Sequence, residues 1–355
     1  MNVADCLKVF TLLLFTVLLI GGCEQKSATH SIFHKQIFVF GTTIDITIRH
    51  PNKKLVDQAF IRLEDDFNTM HATWHPWEPG PLTRTNQLLQ TGEWFTAPSS
   101  VLPLITQAQD LAIRSEHYFN PAIGKLIRLW GFHRSDPENQ DAVIERAELE
   151  RLQSKLPQMT DIEIDGIKIR GKHPDLQVDL GGFAKGYGID RGIEMLQGMG
   201  IQHAIINAGG DLRAIGKHPD RTWRIGVQHP RKNAVLATIE TIRDESVFTS
   251  GDYRRYYMQE GKRRHHIIDP RTGQSVAHTI AVTVIHHNAA EADAAATALM
   301  VAGPENWWDT ARNMGIRYVM LLAADGSIHM NPAMAKRLQL NIADQTKIKI
   351  SKPLG

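Results

Sequence analysis

Thiols are almost absent from this chain of 355 residues: the only cysteines are Cys6 and Cys23, both close to the N-terminus. Disulfide stapling, a cysteine nucleophile and thiolate metal sites are therefore excluded from residue 24 onward. A dominant charge is lacking too, because 40 Lys and Arg face 38 Asp and Glu for a net charge of +2, which offers no basic field for nucleic acid. After the first twenty residues no apolar run is long enough to cross a bilayer, and neither a repeat nor a low-complexity tract occurs. What remains is an ordinary globular composition, long enough for one large or two modest domains.

The N-terminus carries an address. Lys8 precedes an apolar run from Val9 to Ile20 that ends in Ile20-Gly21-Gly22-Cys23, too short for a membrane span and similar to a bacterial lipoprotein signal. Residues 1–22 are then the signal, Cys23 is the lipidated residue, and 23–34 form a polar tether ahead of a domain at 35–350. The loss of Cys6 with the signal and the acylation of Cys23 leave a thiol-free body, which suits an oxidising periplasm. Glu24, where an aspartate would retain such a protein in the inner membrane, favours a lipid anchor in the outer membrane.

Strand and helix patterns alternate along the body. Ile37 to Ile48 alternates around Gly41 as a bent strand pair; Leu55 to Met70, Val101 to Ser115 and Gly186 to Met199 have helical periodicity. Asp165-Gly166 and Asp325-Gly326 mark hairpins, and strands are expected at Ala204 to Asn207, Leu212 to Ile215, Thr222 to Gln228, Ala237 to Thr241 and Ala281 to His286. Hairpins mixed with separated helices predict an α+β fold with mixed or antiparallel sheets and flanking helices rather than a doubly wound sheet. The charged segment Ser135 to Gln158 reads as a surface helical insertion, with any subdomain boundary near it.

Three stretches bear on chemistry. Asp179-Leu-Gly-Gly-Phe-Ala-Lys185-Gly186 ends an apolar run with two glycines, a lysine and a third glycine, a pattern that brings backbone amides close to phosphate oxygens. A plain strand-to-helix turn would use the same glycines. Next, Asn288-Ala-Ala-Glu291 caps an alanine-rich helix stopped by Gly303-Pro304, on which Asp293 and Thr297 stand one turn apart. Two such oxygens can hold a hard cation whose shell phosphates and waters complete, and they also suit an ordinary capped surface helix. Finally, His265 and His266 precede Ile267-Ile268-Asp269-Pro270; on a strand they point to opposite faces, so one can face a pocket as a general base and they make poor joint metal ligands.

Taken together, Gly41-Thr42-Thr43, Tyr118-Phe119-Asn120-Pro121, Leu129-Trp130-Gly131-Phe132, the Asp179 to Gly186 loop, Asn207-Ala-Gly-Gly-Asp211, Thr249-Ser-Gly251-Asp-Tyr253, His266-Ile-Ile-Asp269-Pro270 and Asp293-Ala-Ala-Ala-Thr297 resemble the ApbE family of FAD:protein FMN transferases. The resemblance runs from about Phe38 to the C-terminal strands and implies two intertwined subdomains. It implies FAD as substrate and magnesium at the pyrophosphate, held by the Gly182 carbonyl, Asp293 and Thr297. Flavin-contacting positions carried over are Phe40, Trp74, Tyr118, Phe119, Asn120, Asp179, Lys185, Ile268 and Ala296. Phe40 replaces a frequent methionine, and Asn120 stands where aspartate is usual.

The implied reaction moves FMN from FAD to a threonine or serine hydroxyl of an acceptor flavoprotein and releases AMP. His266 is the candidate base, with Asp269 or Asp252 to orient it. Flavin-bearing subunits of Rnf- and Nqr-type redox complexes are the implied acceptors. Two alternatives stand beside this: an FAD pyrophosphatase giving FMN and AMP, and a periplasmic FAD-binding lipoprotein without turnover.

Overall fold

The computed structural model describes residues 31–134, 146–342 and 345–355. The signal, Cys23 and most of the tether lie outside the described residues, as do 135–145 of the charged segment. No helix among the described residues is long and apolar enough to cross a membrane.

A nine-stranded sheet organises the body. Its strands lie side by side in chain order: β1 (Ser31–Val39), β2 (Thr42–His50), β3 (Ala204–Ala208), β4 (Asp211–Ile215), β5 (Glu245–Gly251), β6 (Thr279–His286), β7 (Tyr318–Ala323), β8 (Ile328–Met330) and β9 (Ile348–Ile350). Every neighbouring pair is antiparallel except β8 and β9, as expected for an α+β protein. The β1–β2 turn is Phe40-Gly41, both residues at positive φ, 55° and 70°. Left-handed backbone at both central positions is what the twist of a two-residue hairpin asks for, and it is costly for a phenylalanine.

Alternation along the strands feeds two cores. On β7, Val319, Leu321 and Ala323 join the core under the helices, while Met320 and Leu322 join a second core on the opposite face. A three-stranded sheet of Leu338–Leu340, Val235–Glu240 and Arg224–Gln228 covers that opposite face. Burial on both faces explains why Tyr318 to Leu322 reads as a continuous apolar run.

Three helices line the other face. In α1 (Lys53–Trp74) the Asn52 side chain accepts from Leu55 N at 3.2 Å, and Val56, Ala59, Phe60, Leu63 and Phe67 form the buried stripe. Helix α2 (Ala184–Gly198) follows the glycine loop, and α3 (Ala289–Asn313) follows β6. Gly303-Pro304 does not end α3 as expected: Gly303 leaves helical geometry at φ 73°, ψ −177°, and the chain re-enters a helix at Pro304 after a kink. Proline is tolerated there because it opens the second segment, where its missing N–H costs nothing.

The Asp-Gly hairpin pairs Asp165 with Lys168, so its turn residues are Gly166 and Ile167, one position later than the Asp-Gly pair suggested. Of the charged segment, Arg146–Ser154 is a helix, docked by buried Leu152 and by Arg151, which bridges Glu148 and Asp175.

Helices α2 and α3 meet at van der Waals limits. A Cβ on Gly186 would lie 2.3 Å from Ala289 O and 2.8 Å from Ala290 Cα, backbone atoms that cannot rotate away. Gly186→Ala is therefore expected to force the helices apart and lower stability by about 1–3 kcal/mol. Equilibrium unfolding checks this, and a change below about 0.5 kcal/mol would show that the contact has slack.

Candidate active site

Asp293 sits one turn into α3, buried and aimed at the start of α2. Its carboxylate accepts from Gly186 N at 3.1 Å and from Lys185 Nζ at 3.1 and 3.2 Å. Lys185 Nζ also lies 3.3 Å from Asp211 Oδ2 at the start of β4, and Asp211 Oδ1 accepts from Thr249 N at 2.9 Å. One ammonium between two carboxylates leaves a surplus negative charge. Burial raises the Asp293 pKa while Lys185 and the Gly186 amide oppose it. For Lys185 burial disfavours the cation, but Asp293 and Asp211 outweigh it and hold the ammonium above the ordinary lysine range.

Thr297 lies one turn further along α3. Its Oγ1 is 3.3 Å from Ser250 Oγ on β5 and would be 3.1 Å from a Cβ placed on Gly182, so the loop passes directly over the hydroxyl. A side chain there would press on the Thr297 hydroxyl, which would have to give by a few tenths of an ångström. Asp179 pins the loop by accepting from Gly181 N at 2.8 Å; burial raises its pKa against that amide and the charge of Arg255.

Thr297 thus lies against the Gly182 backbone and one turn beyond Asp293 on α3, and all three residues carry an oxygen. Among the described residues no group of three or more His, Cys, Asp or Glu could hold a metal ion. An all-oxygen set with one carboxylate beside surplus negative charge fits a hard cation that takes its other ligands from phosphate and water, and does not fit zinc or copper.

The strand expected to carry both histidines ends at His265, so the two divide because the chain bends at His266 and not through strand alternation. His265 is 1% exposed, with Nε2 2.6 Å from Val276 O and its backbone N bonded to Ser275 Oγ, a structural residue. His266 lies just past the strand, with Nδ1 3.3 Å from Arg255 O. A carbonyl only accepts, so the proton belongs on Nδ1 and the Nε2 lone pair is left for other chemistry. His266 is only half-buried by surface; desolvation by its surroundings, then the charges of Arg255 and His265, lower its pKa to about 3, which keeps the ring neutral and weakly basic.

Neither carboxylate expected to orient His266 does so. Asp252 is held by both terminal nitrogens of Arg231, at 2.7 and 2.5 Å, and Asp269 by Arg271 at 2.9 and 2.7 Å. Their charges are satisfied locally, and the Arg255 carbonyl takes the orienting role instead.

The aromatic positions form a separate wall. Phe40, at the strained β1–β2 turn, stacks on Trp74 at 6.3 Å and 7° between ring planes, and Tyr187 meets Trp74 edge-on at 5.5 Å. Tyr118 carries the Arg271 guanidinium 4.5 Å from its ring. Phe119, Ile268 and Ala296 are buried in the hydrophobic clusters. Asn120 turns inward: its amide donates to Pro157 O at 2.9 Å and accepts from Ala122 N at 3.1 Å, which fixes the segment carrying Tyr118. Asp211, Ser250 and Arg255 were not expected as site residues, although Asp211 and Ser250 stand in the glycine-bearing runs Asn207–Asp211 and Thr249–Gly251.

Known proteins resemble the chain throughout this region. A family model described as the ApbE family matches residues 40–320. A protein of Rhodobacter capsulatus named FAD:protein FMN transferase is 36% identical over 91% of this chain, which spans 61% of that relative's length. A Vibrio cholerae protein of the same name is 31% identical, with 88% of this chain and 93% of the relative covered. The crystal structure of the ApbE protein from Thermotoga maritima superimposes with a TM-score of 0.77 at 27% identity, over 86% of this chain and 99% of that one.

Proposed function

Because this chain belongs to the ApbE family, we propose that it is an enzyme that transfers the FMN moiety of FAD to a threonine or serine hydroxyl of an acceptor protein. The observation that carries this reading is the Lys185–Asp293 ion pair at the end of a glycine loop whose Gly182 lies against Thr297.

The reaction balances as a phosphoryl substitution. The acceptor oxygen bonds to the FMN-side phosphorus, the bond from that phosphorus to the bridging oxygen breaks, and AMP leaves with the bridging oxygen. Magnesium, held by Gly182 O, Asp293 and Thr297, would neutralise the charge that grows on the leaving phosphate. Lys185, fixed by two carboxylates, supplies a second positive charge at the loop without having to reorganise. His266 is the candidate to accept the hydroxyl proton at Nε2, the nitrogen that the Arg255 carbonyl leaves free, although its lowered pKa makes the ring a weak base. Phe40 and Trp74 offer a stacked aromatic edge for the isoalloxazine, and Tyr118 with Arg271 a second flat surface. Ile268 and Ala296 close the floor behind the ligand.

The acceptors in this reading are flavin-bearing subunits of Rnf- or Nqr-type redox complexes. Incubation with FAD and magnesium, with and without such a subunit, tests the assignment: AMP should appear together with a mass gain of one FMN on the acceptor. AMP without acceptor loading would make the protein an FAD pyrophosphatase, and bound FAD without AMP a flavin carrier.

The enzyme is proposed to work on the periplasmic side of a bacterial membrane, anchored through diacylated Cys23 and in the outer rather than the inner membrane. Cys23→Ser is expected to block lipidation and release the protein from membrane fractions while purified protein keeps its activity. Membrane association unchanged in Cys23→Ser would overturn the anchor.

A further inference from the structure

We infer that Asp190, a residue remote from the reacting atoms, is a positioning residue that sets the metal-binding face of α3 against the glycine loop. The inference rests on the metal site proposed above. Helix α2 begins with Lys185 and Gly186 at the site and carries Asp190 just over one turn later. The buried Asp190 carboxylate accepts from Ala289 N and Ala290 N, both at 2.9 Å, the first two amides of α3. In return Asp293 of α3 accepts from Gly186 N near the start of α2. Each helix thus places an aspartate on the positive end of the other.

This exchange is more than capping. Helix α3 already has its own cap, since Asn288 Oδ1 accepts from Glu291 N at 2.8 Å and Asn288 O accepts from Ala292 N at 3.1 Å. Asp190 instead fixes where α3 begins relative to α2, in a contact that the Gly186 approach to Ala289 leaves without slack. The other side of Asp190 is held by Arg213 Nη1 at 2.5 Å, and Arg213 in turn grips Asp244 at 2.9 and 2.8 Å.

Arg213 and Asp211 share one face of β4, two residues apart. Asp211 reaches Lys185 and Arg213 reaches Asp190, so a single strand holds α2 at two points along its first turns. Asp293 and Thr297 lie one and two turns beyond the amides that Asp190 holds. A small shift of α3 at Ala289 therefore moves both oxygens away from Gly182 together.

The test compares Asp190→Asn with Asn288→Ala. Asn at 190 keeps one accepting oxygen but loses the charge that binds Arg213, and its amide nitrogen cannot accept from an N–H. Partners behind metal ligands usually matter by about 10- to 100-fold in metal affinity. The magnesium concentration for half-maximal AMP release should rise by that factor in Asp190→Asn, with kcat restored toward wild type at saturating magnesium. Mn2+ binding in the presence of FAD, read by electron paramagnetic resonance, should weaken in parallel.

Asn288→Ala removes the helix's own cap and should lower Tm without moving either metal readout. Metal dependence in Asp190→Asn equal to wild type, or an equal shift in Asn288→Ala, overturns the positioning role. A wild-type protein that releases AMP equally well without divalent metal overturns the metal site and the inference with it. Should Asp190→Asn not fold, Arg213→Gln leaves the carboxylate in place but frees its far side, and it is expected to shift the magnesium requirement in the same direction; no shift there overturns the inference.

Discussion

Asp293→Ala is expected to abolish magnesium-dependent FMN transfer while the protein remains folded. Alanine is the best helix former, and α3 keeps its Asn288 cap, so the helix survives the change. What disappears is the sole carboxylate of the oxygen set and one of the two anions that fix Lys185. Loss of a single preorganised contact to developing charge costs about 10²–10³-fold, and this substitution removes a ligand and loosens a cation together. A drop of at least about 10³-fold in AMP release, unrelieved by raised magnesium, is the expected outcome. Activity within ten-fold of wild type, with a normal far-ultraviolet spectrum, would remove Asp293 from the metal site.

The second large effect is expected at His266. A base that takes the proton of the attacking hydroxyl acts in the transition state, so His266→Gln should lower kcat by about 10²–10⁴-fold with little change in FAD affinity. Flavin fluorescence quenching reports binding and acceptor mass reports transfer. Loss of FAD binding in this variant would make His266 a flavin-contacting or structural residue.

The same side chain gives a pH signature of stability. In the folded protein its pKa lies near 3, well below the 6.5 of an unfolded histidine. Below pH 6.5 the unfolded chain gains a proton at this position that the folded one refuses, so the contribution of His266 is fully present above that pH and is lost progressively toward pH 3. Wild type should therefore lose more stability than His266→Gln between neutral pH and pH 4 in parallel denaturant titrations.

Much of the fold was legible because local signals agreed with tertiary demands. Helix α1 was visible through the periodicity of Leu55 to Met70, an apolar stripe that the structure buries, and the β1–β2 bend through alternation around Gly41. Strand β5 was not read, since Glu245–Gly251 mixes polar residues whose hydroxyls are satisfied sideways, Thr249 by Thr283 and Ser250 by Thr297. The strand Tyr256–Gln259 gives no sequence signal, and the strand expected through His265 and His266 lies earlier, at Lys262–His265: charged side chains hide the period of both, and only pairing with each other makes them strands. Helix Pro81–Leu89 is short and opens on a proline after Gly80 with no side-chain cap, so little local signal marks it.

At the site, residues that act through spacing within one segment were visible, Asp293 with Thr297 above all. Those that act across segments were not. Asp190 reads in sequence as one more polar helix residue, and nothing local reveals that two amides of another helix lie against it. Asp252 fails to orient His266 for the same reason, because Arg231, remote in sequence, claims it, whereas Asp269 is claimed by Arg271 within its own segment.

The order of strands in the large sheet also governs when the protein can begin to fold. Strand β2 finds its inner partner in β3, which starts 154 residues beyond its end, from His50 to Ala204. An isolated two-stranded hairpin is marginal in water, and closing so long a loop delays the contacts that would reward it. The N-terminal hairpin therefore has no lasting sheet to join until residue 208 is available, and a chain released piecemeal during synthesis would hold that hairpin without its sheet partner until about residue 208 emerges.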